Sequence, residues 1–218
     1  MNRGMTYIVS FVSGFCILVV EMVAGRMLAP YFGVSLYTWT SIIGVVLAGI
    51  GAGAYAGGML ADRFPSRSSL GVLLFLAGIA VFLIPPILNI VVMQELNIAL
   101  MWKVLLALSA IFFVPSMALG MILPLVVKQA VYRLDETGGL VGRIYALSTA
   151  GSLAGVFLSG LFLISFMGTR TIIFFVGAFL ILTAVIAGGY FRTRPMVVHG
   201  AAFGAVSVTW SLFNCGPP

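Results

Sequence analysis

Long apolar runs separated by short polar breaks set the pattern of the chain. A helix needs about 20 apolar residues to cross the ~30 Å hydrocarbon core of a bilayer. Runs near that length predict helices over 7–29, 37–60, 69–92, 102–127, 142–165, 171–190 and 196–213. The last of these contains "HGAAFGAVSVTWSLF", rich in small residues and the shortest of the set. The longest polar break, "KQAVYRLDETGGLVGR", is too short to fold by itself, so residues 1–218 read as one all-α transmembrane domain.

Composition agrees with that pattern. Of 218 residues, 62% are hydrophobic and only 7% charged, and the mean hydropathy is +1.22. A soluble domain needs far more polar surface to cover its core, so the bilayer is the expected partner. The net charge of +6 does not point to nucleic acid, because the basic residues stand singly at the ends of apolar runs. That placement orients the helices instead. Arg3, Arg63, Arg67, Lys128, Arg133, Arg143, Arg192 and Arg194 fall on one side, and only Lys103 and Arg170 on the other. The positive-inside rule then predicts a cytoplasmic N-terminus and, with seven spans, an outer C-terminus, in a bacterial-type plasma (inner) membrane. Trp39, Trp102 and Trp210 fall at predicted outer ends, where interfacial aromatics belong.

Two helices carry small residues at four-residue spacing: Gly49, Gly53 and Gly57 in the second, and Gly151, Gly155 and Ser159 in the fifth. Residues four apart share a helix face, so each predicts a seam where another backbone approaches closely. These helices are corresponding members of two triplets of opposite orientation, the arrangement of a 3+3 inverted repeat with one extra helix. Pro85 and Pro86 in the third helix, with Pro115 and Pro124 in the fourth, predict kinks.

The candidate chemistry lies in the first helix, "GFCILVVEMVAGRMLAP". An ionisable side chain at membrane depth costs at least ~2.5–3.5 kcal/mol. Glu21 is too deep to reach headgroups and is expected to face the bundle interior, while Arg26 sits nearer the end and can snorkel. Their five-residue spacing separates them by ~140° around the helix, which disfavours a pair between them. With Trp39, they form the candidate substrate-binding set. Glu21 reads either as a polar pin bonded to another span or as the anionic element of a cation or proton site. His199 is the only histidine, Cys16 lies at membrane depth and Cys215 near the C-terminus. No metal, cofactor or nucleophile–base constellation is expected, and no disulfide framework.

The stretch "GGMLADRFPSR" resembles the loop between the second and third helices of major facilitator transporters, through Gly58, Leu60, Ala61, Asp62, Arg63 and Arg67. Pro65 stands where that loop has a second glycine. The resemblance implies that Asp62, Arg63 and Arg67 form a charge relay stabilising one gate state. "SGFCILVVEMVAGRMLAPYFG", "MALGMILPLVVKQA" and "VGRIYALSTAGSLAGVFLSGLFLISFMGTR" extend it. Together they resemble the membrane-embedded N-terminal part of the fused MFS/spermidine synthase proteins over about residues 8–190. These residues are expected to carry no aminopropyl transfer, since no Gly-rich nucleotide loop or catalytic aspartate pair appears among them. Two functions follow as expectations. One is a transporter-like protein for a polyamine or other small cation, acting as a homo-oligomer or with a partner. The other is a non-transporting subunit that anchors or organises another protein.

Overall fold

The computed structural model describes residues 3–94, 99–131 and 137–188. The predicted helix over 196–213, with His199, Trp210 and Cys215, lies outside the described residues, as do Arg133, Arg192 and Arg194. Among the described residues the chain is helical without strands: α1 (Arg3–Phe32), α2 (Leu36–Arg63), α3 (Arg67–Phe82), α4 (Ile84–Val92), α5 (Leu100–Gly120), α6 (Ile122–Ala130), α7 (Thr137–Leu158), α8 (Ile164–Phe166) and α9 (Thr169–Ala187). A wider π turn, Ser159–Leu163, joins α7 to α8. These make 6 helical rods long and apolar enough to cross a membrane. Spans 1, 2 and 6 are α1, α2 and α9. Span 3 is α3 with α4, span 4 is α5 with α6, and span 5 runs from α7 to α8.

The breaks inside spans 3 and 4 have a steric cause. A proline ring clashes with the carbonyl four residues earlier. For Pro86 that carbonyl belongs to Phe82, where α3 ends; for Pro124 it belongs to Gly120, where α5 ends. Pro115, by contrast, is carried inside α5 without interruption. The turn after α1 uses Gly33 at φ 73°, a left-handed conformation that suits glycine. Its N–H donates to Ala29 O at 3.0 Å and closes the helix. Ser35 caps α2 by accepting from Thr38 N at 3.2 Å, and Ser66 caps α3 by accepting from Ser69 N at 3.0 Å.

Three pairs of spans hold the bundle: span 1 with span 5, span 2 with span 4, and span 3 with span 6. Each pair closes on glycines that meet backbone. In span 2, a Cβ at Gly53 would strike Met117 O, one at Gly57 would lie 2.7 Å from Met121 O, and one at Gly49 3.0 Å from Phe113 O. Span 4 answers with Gly120, whose Cβ would lie 2.6 Å from Ile50 O. In span 5, Gly151 lies against Phe11 O and Gly155 against Phe15 O, and span 1 answers with Gly14 against Ser148 O. Ser152 Oγ also donates to Gly14 O at 3.2 Å. In the third pair, Gly78 faces Gly177 O and the Ile181 side chain, while Gly177 faces Gly78 O and the Phe82 ring. Between apolar helices in lipid, such backbone approach supplies the van der Waals contact that holds them.

The core runs through spans 1, 3, 4 and 6, with Leu28, Leu70, Leu74, Leu108, Ile111 and Phe112 fully enclosed. Spans 2 and 5 are peripheral: 33% and 17% of their most apolar windows are buried, against 61% in span 1.

Candidate functional site

Glu21 lies past the middle of α1 and is half-buried. Four residues on, and therefore on the same helix face, Gly25 is buried beneath an aromatic ring. A Cβ there would lie 2.9 Å from Trp39 Cη2 and 3.2 Å from Cζ2. The missing side chain lets the Trp39 indole, from the first turn of α2, lie against the backbone of α1. Glu21 thus sits one turn below the indole, on the side of α1 that faces span 2. Among the described residues no hydrogen bond or ion pair reaches its carboxylate. The partner on another span that the sequence suggested for it is not found among these residues.

Arg26 points elsewhere. It is exposed, one turn past Met22, whose Cε lies 3.6 Å from the Cβ position of Gly160 in span 5. The ~140° separation expected from helical geometry is what keeps the two charges apart. Of the candidate substrate-binding residues, Trp39 packs on Gly25, one helical turn from Glu21, and Arg26 is left exposed.

The loop after α2 is built differently from the relay that its sequence suggested. Asp62 accepts from Lys128 Nζ of α6 at 2.7 Å, with the two side chains 73% and 50% exposed. Arg63 lies over the Phe64 ring at 5.9 Å, and Arg67 opens α3, exposed. Gly58 is part-buried, and a Cβ there would meet nothing within 4 Å. Beside the ion pair, Gln129 Nε2 donates to Ser66 O at 2.7 Å, so α6 is tied to both sides of the loop. Gln129 Oε1 is buried without a hydrogen-bond partner. At the opposite end of the bundle, Arg170 donates to Asn89 Oδ1 at 3.0 Å, joining spans 6 and 3.

The packing glycines Gly49, Gly53, Gly57, Gly151 and Gly155 all lie in seams, and Ser159 is fully buried with its hydroxyl turned to Val156 O at 3.2 Å. The sequence marks Lys128 only as a topology-setting charge, and its pairing with Asp62 is not legible there, nor are the contacts of Gln129 and Gly25. Lys128 and Gln129 are remote in sequence from what they bind, and Gly25 is a lone glycine outside any repeat. The reciprocal glycines Gly14, Gly78, Gly120 and Gly177 escaped for the same reason. No group of three or more metal-ligating side chains is found among the described residues. Comparison with protein-family models, with curated proteins and with solved structures returns no match.

Proposed function

We propose that the chain is a transporter-like unit that binds a small organic cation, of the size and charge of a polyamine, beside Glu21. The observation that carries this reading is a half-buried carboxylate at membrane depth, free of protein partners among the described residues and one helical turn from Gly25, which the Trp39 indole contacts. A carboxylate neutralises an ammonium group, and an indole attracts it through its quadrupole. Arg26, turned to the outside of the bundle, leaves that charge uncompensated.

A 3+3 inverted repeat supports the same reading. Phe11, Gly14 and Phe15 of span 1 correspond, at one constant offset, to Met117, Gly120 and Met121 of span 4. Ser148, Gly151 and Gly155 of span 5 correspond likewise to Ile50, Gly53 and Gly57 of span 2. The third pair maps onto itself, Gly78 onto Gly177 and Phe82 onto Ile181. Each glycine-to-backbone contact of the first pair has its counterpart in the second, while the Ser152–Gly14 hydrogen bond has none, because Ala54 stands at the equivalent place. Many transporters are built from such repeats, with the site near the midplane between them. The resemblance to the fused MFS/spermidine synthase proteins points the same way, with Asp62, Arg63, Arg67 and Lys128 on the cytoplasmic side. The described residues hold six spans, half the number of a twelve-helix facilitator, and in this reading a second copy or a partner encloses the path. A non-transporting subunit is the second reading. It is favoured by Gly44, Gly51 and Gly142, all exposed on peripheral spans with open space around them.

The test is uptake of labelled spermidine into liposomes. Wild type should accumulate it and Glu21→Gln should lose most of the flux, with both proteins equally monodisperse. Equal uptake by the two proteins, or none by wild type, rejects the reading.

A further inference from the structure

We infer that the contact between Met22 and Gly160, together with the π turn Ser159–Leu163, is the moving gate of this bundle, and that the Asp62–Lys128 crossing is its fixed end. The inference rests on the inverted repeat proposed above. The offsets that relate the glycine seams also pair Lys128 with Met22 and Asp62 with Gly160. The two contacts are therefore equivalent places in the two halves, built from different residues.

At the fixed end, the ion pair closes at 2.7 Å and Gln129 Nε2 bonds Ser66 O at 2.7 Å. Just before each of these places the two seams are alike, backbone against backbone at Gly57 with Met121 and at Gly155 with Phe15, so the difference lies in the terminal contacts alone. At the other end, the nearest atom to a Cβ on Gly160 is the flexible tip of Met22, Cε at 3.6 Å. A thioether holds position weakly, because three rotatable bonds let it repack. The Ser159 hydroxyl is spent on its own helix, donating to Val156 O. Here too span 5 widens into a π turn, which carries an extra residue and marks places where a helix changes course. Its equivalent segment in span 2 is the cytoplasmic-side terminus itself, Ala61 to Pro65, where α2 ends. Between two otherwise equivalent ends, the one without polar ties parts first.

Distances between spin labels in nanodiscs test this without any substrate, so the outcome is independent of whether the chain transports. In a background with Cys16 and Cys215 replaced by alanine, one label pair is Tyr31→Cys with Phe166→Cys, at the ends of α1 and α8. The other is Phe64→Cys with Val131→Cys, at the ends of α2 and α6. The first pair should give a broad or two-peaked distribution and the second a single narrow one. Deleting Leu161 to regularise the π turn should narrow the first, and Asp62→Asn should broaden the second. Equal widths at the two ends of the otherwise unaltered protein, or the reverse order, overturn the inference even if the deletion does not fold. A lack of flux in the Glu21 assay alongside the expected widths would reject the cation reading and leave the gate standing.

Discussion

Gly51 and Gly53 are two residues apart on α2, and alanine at each should have opposite consequences. At Gly51 a Cβ meets nothing within 4 Å, so Gly51→Ala removes only glycine's helix penalty and gains up to ~1 kcal/mol. Gly53→Ala has the same helix gain, but its Cβ lands on the Met117 carbonyl oxygen with Gly120 Cα at 3.1 Å. Neither obstacle is a side chain that can rotate away. Spans 2 and 4 must separate, and the contacts at Gly49, Gly57 and Gly120 loosen with them. Overpacking costs about 1–3 kcal/mol even where side chains adjust, and each atom pair pulled apart forfeits ~0.1–0.2 kcal/mol more. Gly53→Ala should therefore fall about 2–4 kcal/mol below Gly51→Ala. Steric-trap unfolding in bicelles resolves a gap of that size. Stabilities equal to within ~0.5 kcal/mol would refute the backbone seam. The seam of spans 1 and 5 adds a control: Gly151→Ala, against Phe11 O, should lose stability relative to Gly142→Ala, which has open space.

The remaining predictions use the same unfolding assay except the last. Asp62→Asn should cost only ~0.2–1 kcal/mol because the pair is largely exposed, and high salt should erase the difference; a loss that salt does not change would contradict this. Gln129→Leu removes one hydrogen bond and one buried unpaired oxygen, so it should stay within about 1 kcal/mol of wild type, whereas Gln129→Glu loses the donor to Ser66 O and should fall further. Gly25→Ala should displace the Trp39 ring and shift its fluorescence in a Trp102→Phe, Trp210→Phe background; an unchanged spectrum would mean the ring does not rest on α1.

Much of the fold is legible in the sequence because hydrocarbon is an unforgiving solvent. A backbone crossing it must satisfy its own hydrogen bonds, so run length alone located six of the described rods. Proline sterics foretold irregularity in spans 3 and 4, and the four-residue glycine spacing marked the faces of α2 and α7 that pack. Partner choice was decided only in three dimensions. Nothing local to Gly49, Gly53 and Gly57 says that span 4 covers them. Gly14, Gly78, Gly120 and Gly177 gain meaning only when the opposing carbonyl is in place. The same holds for the site. Helical periodicity alone set Glu21 and Arg26 on different faces, but it took the close approach of α2 at Gly25 to bring Trp39 within a turn of Glu21. Lys128 found Asp62 because spans 2 and 4 end side by side, a proximity that no sequence interval encodes. Solvent acts on each helix separately and leaves its mark in composition and period, whereas contact depends on which helices meet, and only the tertiary structure decides that.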